Sequence, residues 1–461
     1  MDIYTSFAAN LLFPLHEKLK KHSTTAVKLE LERSQWLPAE QLRALQLARL
    51  REFLSDCAAH VPYYRDLFRA LDFVPAEITA ISDLARLPVL TKDVIRRDFD
   101  RLRSSAPEAV RLFSTTGSTG DPLRFNISKT RISRDVAAKW RATRWWDVDI
   151  GDREMVIWSS PIELTRQDRV KQVRDWLLRT RLLPSATMSP TDMDRFIAEI
   201  CRFRPKMLFG YPSSMTLIAQ RAEQQGVPLN QLGIKVAFCT AERLYPHQAD
   251  VLQRVFGCPV ANGYGGRDSG FIAHACPQGG MHITAEDIVV EIVDQQGRPV
   301  PAGVPGDVVV THLYSSCFPF VRYRNGDVAV LDDGQCACGR GLPLLKEIHG
   351  RSNDVLLAED GSVVLAIAFA IVLRDMPGVN GFKLIQETLS FCRLQLVTDA
   401  SFRPSASEQE LRSTFRTRLG AGVRLDIEYV ETIEAEASGK YRYVESKVSQ
   451  QQVAQAGGCT S

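Results

Sequence analysis

Long apolar runs are missing from this chain. No stretch approaches the ~20 consecutive apolar residues that a bilayer-crossing helix needs, so a transmembrane protein is not expected. Charge of one sign is missing too. Lys and Arg number 57 against 54 Asp and Glu, a net charge of +3, and that balance demands neither nucleic acid nor an anionic membrane as partner. There is no internal repeat and no low-complexity segment, which sets aside solenoids and compositionally biased linkers. An export signal is also lacking. Asp2 stands where positive charge is wanted, and the apolar stretch runs into His16, Glu17 and Lys18 without a small-residue cleavage site. That segment reads as an amphipathic helical start. Ten cysteines without an export signal point to reduced or metal-bound thiols in the cytoplasm, not to a disulfide framework.

What is present is a chain of 461 residues, 45% hydrophobic and 24% charged, too long for one simple core. Residues 1–105 read as mostly helical. Leu42, Leu45, Leu50, Phe53, Leu54 and Cys57 recur at helical spacing, and Pro62 in "HVPYY" ends that pattern. From about 150 to 350, short apolar strands ("EMVIWSS", "KMLFGY", "KVAFC", "PVANGYG") alternate with helical stretches ending in glycine. The alternation predicts a layered α/β body with parallel pairing. "DIVVEIVD" and "GDVVVTHLY" read as a β-rich attachment to it. Past Gly350 the elements shrink. "VVLAIAFAIVLRD" and "SEQELRSTFRTRLG" read as helices and "FKLIQET" and "SFCRLQLVTD" as strands, while "VRLDIEYVE" alternates with Val423, Leu425, Ile427 and Tyr429 inward. The expected fold class is therefore α/β: a large domain over 1–350 and a smaller α+β domain over 351–461.

"RLFSTTGSTGDPLRF" (111–125) packs Ser114, Thr115, Thr116, Gly117, Ser118, Thr119 and Gly120 between hydrophobic ends. Backbone N–H groups in such a loop can approach an anion closely, and its hydroxyls add donors, so it suits phosphate oxygens. It is not a P-loop, because Asp121 and Pro122 stand where Lys and Ser/Thr would follow the last glycine. A flexible linker is the alternative.

Four segments follow in order: "TAERLY" (240–245), "NGYGGRDSG" (262–270), "FVRYRNGDVAVL" (320–331) and "IHGRSNDVL" (348–356). "SGKYR" (438–442) comes last. With the loop, this ordered set resembles the adenylate-forming acyl- and aryl-CoA ligases, in the branch of the phenylacetate-CoA ligases and CapK-type proteins. The resemblance spans about residues 40–445 and implies an ATP-dependent carboxylate ligase. Such an enzyme joins an aryl or acyl acid to AMP with release of diphosphate, then passes it to coenzyme A, with ATP, Mg²⁺ and coenzyme A required. Transfer to an amine or hydroxyl of a sugar or polymer precursor, or a catalytically weakened nucleotide-binding homologue, are the alternatives.

By resemblance, Ser114 and Thr115–Thr119 would hold the β,γ-phosphates, and Thr240, Ala241 and Glu242 would line the nucleotide pocket with Tyr264 against adenine. Asp268 falls where the superfamily places a Glu that binds Mg²⁺, and a carboxylate suits a hard cation. A solvated turn Asp is the other reading. Asp327 would accept the ribose diol, with a salt bridge to Arg322 or Arg324 as alternative, and Arg351 would be the second ribose and phosphate contact. Lys440, on a Ser-Gly-Lys loop, would be the adenylation lysine unless it is only an exposed tail residue. The hinge of the superfamily's mobile C-terminal domain would fall at Asn353. Tyr211, Pro212, Ser213 and Gly265 would contact the acid, with Trp140 and Phe238 as walls. Trp145 and Trp146 read as core packing.

Cys276, His282, Cys336 and Cys338 form a donor set of the structural zinc type. Free thiols in two unrelated turns are the alternative, and His274 could replace His282. The acid, the acceptor and the oligomeric state are not specified by the sequence, a homodimer being one option.

Overall fold

The computed structural model describes residues 2–106, 110–114, 123–158, 169–185, 188–351, 355–360, 363–365, 369, 372–373, 376–434 and 443–448. The chain divides into two compact units, Met1–Ile348 and His349–Ser461.

The first unit opens with a continuous helical run. Asp2 caps it, its carboxylate accepting from the Thr5 N–H at 2.6 Å. The run passes from α-helix (Ile3–Phe7) through a π turn (Ala8–Leu12) back to α-helix (Phe13–Leu19). Pro14 accounts for the π turn, since its ring has no N–H and crowds the carbonyl of Asn10. The helix Ala39–His60 then buries Leu42, Leu50, Phe53, Leu54 and Cys57, with Leu45 partly buried, and the Val61–Pro62 step ends it.

One eleven-stranded sheet forms the body. In chain order after the hairpin β1 (Val110–Ser114) and β2 (Arg124–Ser128), its strands are β3 (Glu154–Trp158), β4 (Thr180–Pro184), β5 (Met207–Gly210), β6 (Val236–Thr240), β7 (Val260–Gly266), β8 (Gly270–Ala275), β9 (Met281–Ile283), β10 (Ile288–Val293), β11 (Gly306–His312), β12 (Tyr323–Asp332) and β13 (Leu344–Arg351). The spatial order is β10-β11-β12-β13-β9-β8-β7-β6-β5-β3-β4. Strands β4, β3, β5, β6 and β7 are parallel. The helices Pro190–Phe203, Pro212–Gln224 and Pro246–Phe256 connect them, each with proline in its first turn. "MLFG" and "VAFCT" are buried throughout, as parallel strands covered on both faces must be.

From β7 onward the pairing turns antiparallel. The expected β-rich attachment is thus no separate piece. β10 and β11 continue the same sheet, and their inner face shares one hydrophobic cluster with Phe53, Leu54, Tyr64 and Phe68.

The second unit holds a four-stranded sheet in the order Arg424–Tyr429, Phe391–Thr398, Val379–Thr388, Val444–Ser446. The helix Pro404–Leu419 contributes Phe415 to a ring contact with Phe369 at 4.5 Å. Two expectations need correction. Val363–Leu365, the start of "VVLAIAFAIVLRD", is a strand paired with Val355–Leu357, because that pairing satisfies its backbone where a lone helical turn would not. In "VRLDIEYVE", Val423 and Leu425 are buried but Tyr429 is 48% exposed, since the strand outruns the face that covers it.

Candidate active site

The parallel strands β3, β5, β6 and β7 end on one edge of the sheet, and Tyr211, Thr240, Glu242 and Tyr264 lie at or near it, where open α/β sheets bind ligands. β5 leads into Tyr211, which precedes the helix Pro212–Gln224. β6 ends at Thr240, and the next residue, Ala241, is held at φ +69°, a conformation that L residues adopt reluctantly and that clusters at functional sites. Glu242 accepts the Ser213 N–H at 3.2 Å, so a carboxylate caps the first turn of that helix. The nucleotide-pocket and acyl-pocket segments are therefore joined directly.

Tyr264, on β7, donates its hydroxyl to Asp327 Oδ2 at 2.8 Å and accepts from Asn325 Nδ2 at 2.9 Å. Burial, and then the Asp327 charge, push its phenol well up, so it stays a donor. The salt-bridge alternative for Asp327 meets competition. Arg322 is buried at φ +50°, with Nε 3.2 and 3.1 Å from the two Glu291 oxygens and Nη2 2.7 Å from the Gly297 carbonyl. Arg324 Nε lies 3.4 Å from Asp307. Both arginines thus carry other acidic partners.

Asp268 sits in the turn between β7 and β8, half-buried. Its Oδ2 accepts from the Tyr323 hydroxyl at 2.8 Å and its Oδ1 from Ser269 at 3.1 Å. Arg131 holds the turn from beneath, Nη2 donating to the carbonyls of Arg267 at 3.0 Å and Asp268 at 2.7 Å. Beside it, Asp135 lies 3.6 Å from His312 Nε2. Burial, with the Arg131 charge, lowers His312 and keeps it neutral against Asp135. Burial works to raise Asp135, but His312 and Arg131 outweigh it and leave the carboxyl below its usual range. Two glycines are required here. A Cβ on Gly265 would stand 2.3 Å from the Gly270 carbonyl oxygen, and one on Gly270, at φ +78°, would stand 2.8 Å from the His312 ring. Gly265 therefore serves the close approach of β7 and β8.

Away from that edge, Cys276, His282, Cys336 and Cys338 place their ligand atoms within 4.8 Å of one another. Cys276 Sγ is 3.6 Å from Cys336 Sγ, too far for a disulfide, and Cys338 Sγ is 3.2 Å from His282 Nε2. Bonds of about 2.3 Å to sulfur and 2.0–2.1 Å to nitrogen give tetrahedral edges of about this length. Burial lowers His282 to about 4, so the imidazole is neutral, as a metal ligand must be. His274 is not the fourth donor. Its ring lies against Phe271 and Phe238.

Other expectations fall differently. Tyr211 is 1% exposed beneath Trp158, ring centroids 4.5 Å apart, and so supports the edge from within. Phe238 is likewise core. Trp140 is no wall, because it packs with Ala9, Phe13 and Ile150. Trp145 and Trp146 are anchored through their indole N–H groups, to Gln35 at 2.8 Å and the Ala275 carbonyl at 3.0 Å. Ser114 ends β1 opposite Arg124 of β2. The hydroxyl-rich stretch is thus flanked by two paired strands, and Thr115, Thr116, Gly117, Ser118 and Thr119 lie outside the described residues. So do Asn353 and Lys440, and the side chain of Arg351. Sequence reading missed Arg131, Asp135 and His312. Tyr323 and Asn325 were within reach, since both stand inside "RYRNGD".

Residues 112–313 match the family model of the AMP-binding enzymes, and residues 356–447 match the CapK C-terminal domain. Protein CapK of Staphylococcus aureus is 22% identical over 87% of this chain and 88% of its own. The phenylacetate-coenzyme A ligase of Thermus thermophilus is 26% identical over 81% of this chain and 85% of its own. Among solved structures, 2-hydroxyisobutyryl-CoA ligase in the postadenylation state superposes with a TM-score of 0.74 over 92% of this chain and 93% of its own, at 22% identity. The AMP-binding and CapK C-terminal family models match in order along the chain, and its relatives include CapK and phenylacetate-CoA ligases, findings that support the adenylate-forming branch of the phenylacetate-CoA ligases and CapK for this chain.

Proposed function

We propose that this protein is an AMP-forming acid–CoA ligase. A carboxylate oxygen of a small organic acid attacks the α-phosphorus of ATP, the bond to the bridging oxygen breaks, and diphosphate leaves. The thiolate of coenzyme A then attacks the acyl carbonyl. AMP departs with the electron pair, and the thiol proton passes to solvent. The observation that carries this reading is the Tyr264–Asp327 pair. A carboxylate oriented by a neutral phenol, with the neighbouring arginines engaged by Glu291 and Asp307, is an acceptor suited to a ribose diol.

The first half-reaction brings two anions together, so donors and cations must meet the developing charge. Ser114 and Thr115–Thr119 supply hydroxyl and backbone donors to the β,γ-phosphates. Lys440 and Arg351 supply positive charge to the α-phosphate and ribose. Thr240, Ala241 and Glu242 border the nucleotide. Asp268 would hold Mg²⁺, which offsets phosphate charge when bound. Its Oδ1 accepts a hydrogen bond from the adjacent Ser269 hydroxyl, and Arg131 fixes its backbone. The acid would lie near the Pro212–Ser213 segment.

The four-residue Cys/His set would hold structural zinc, stapling the β8–β9 hairpin to the loop that carries Cys336 and Cys338. Among the described residues every cysteine is free, which supports a reducing, cytoplasmic setting, and no helix there is long and apolar enough to cross a membrane. The test is exchange of labelled diphosphate into ATP that depends on an added acid, with AMP and a thioester as products. Formation of ADP would remove the reading. Adenylate formation that coenzyme A cannot intercept would move the acceptor to an amine or hydroxyl.

A further inference from the structure

The N-terminal helical run turns an apolar stripe to solvent. Ile3 is 91% exposed, Phe7 45%, Leu11 56%, Leu15 53% and Leu19 78%. Five large apolar side chains at a strict four-residue spacing would drift around an ideal α-helix. The π turn at Ala8–Leu12, with more residues per turn, takes back part of that drift and keeps them on one side. The opposite side, with Thr5, Ala8, Ala9, Phe13 and Glu17, is buried against the body. The run is a fixed part of the first unit, tied by Thr5 to Asp152 at 2.7 Å and by Tyr4 to the Leu177 carbonyl at 2.8 Å.

Charge is sorted the same way. Of the two acids in this segment, Glu17 points inward to Thr24, His16 and His22, and Asp2 is occupied by Arg179 at 2.9 Å. Lys18, Lys20 and Lys21 remain exposed. Partial burial first, and then Arg174, itself paired with Asp175, and Arg111, hold the Lys20 ammonium below its usual value against the pull of Glu17. The helix Arg169–Leu177, which supplies Arg174 and the Leu177 carbonyl, exposes Trp176 at 75%. An apolar stripe flanked by lysine and arginine, with a tryptophan alongside, is the composition of a helix that lies in a headgroup layer. A second copy fits less well. Antiparallel pairing would set the lysines against the Asp2 end, whose carboxylate is already engaged.

We propose that the outward face of residues 3–21 docks on the surface of an anionic lipid bilayer, with Leu11 and Leu15 in the acyl boundary and Lys18, Lys20 and Lys21 at the headgroups.

The test sediments the full-length protein with phosphatidylcholine vesicles and with vesicles carrying about one-third phosphatidylglycerol, a strongly negative surface. The anionic vesicles should bind it at least ~10-fold better, and raising the salt should erode the difference. Leu11→Ser/Leu15→Ser should lower that binding ~10-fold or more, the scale expected when buried methylenes are removed. Lys18→Glu/Lys20→Glu should abolish the preference for phosphatidylglycerol. These side chains are exposed, so each variant should keep its melting temperature and its acid-dependent diphosphate exchange. Retained binding in the Leu11→Ser/Leu15→Ser protein would overturn the proposal. So would absence of wild-type binding, or a dimer in solution that these changes dissociate.

Discussion

The first unit holds two polar clusters on one sheet, and they are built to opposite rules. At the carboxyl edge, Tyr264 joins Asp327 and Asn325 while Tyr323 donates to Asp268, and Asp327, Asp268, Tyr264 and Asn325 stay partly open to solvent. At Cys276, His282, Cys336 and Cys338 the donors converge on one point, and Cys276 and His282 are buried. The first arrangement suits a ligand that comes and goes, whereas four convergent donors would suit a metal that stays. Changes in the first should therefore be read in rate, and changes in the second in stability.

The largest expected effect is on rate. Lys440→Ala should slow acid-dependent diphosphate exchange by ~10³-fold, the scale of losing a charge contact made in the transition state. It should spare thioester formation from adenylate supplied ready-made, and equal loss in both assays would show the lysine to be structural. Asp327→Ala should cost about 10²-fold in adenylate formation with an unchanged melting temperature. A fall in melting temperature that accounts for the loss would move Asp327 to the structural side. Arg322→Met, five residues earlier, should do the reverse. It strands Glu291, buried with only 9% exposed, at ~3–5 kcal/mol. Calorimetry should register a drop of order 10 °C, while activity per folded molecule persists.

Removal of metal comes next. Cys336→Ser/Cys338→Ser, or a strong chelator, should release about one equivalent of zinc by elemental analysis and lower the melting temperature by several degrees. The initial rate of exchange measured well below that temperature should be little altered. Protein purified with less than about half an equivalent of metal and four intact side chains would exclude the site. Tyr264→Phe should have the smallest effect, ~10-fold in KM for ATP from one lost hydrogen bond to a carboxylate.

Much of this division could be read from the residues themselves. The helical stripe from Leu42 to Cys57 is a local pattern that the structure buries, and the two short pairs Cys276/His282 and Cys336/Cys338 are brought together by the fold. What could not be read depends on contacts far apart in sequence. Arg131 is one arginine on an amphipathic helix until folding puts it under the Asp268 turn, 137 positions away. Strands β10 and β11 carry no mark that they extend the central sheet. Tyr211 sits in the right segment, but only the packing of Trp158 over it reveals its depth. "RYRNGD" shows the limit most sharply, since Arg322 and Asp327 look alike in the sequence, yet one braces the sheet and the other faces the ligand edge.

Strand β8 has a consequence for both clusters. It begins just after Asp268 and Ser269 and ends just before Cys276, a rod of six residues, about 20 Å long. Slipping such a rod by one position would turn every side chain on it over. A metal held by Cys276 and His282 would thus act as a latch on alignment, and the far end it would keep in phase is the turn that carries Asp268.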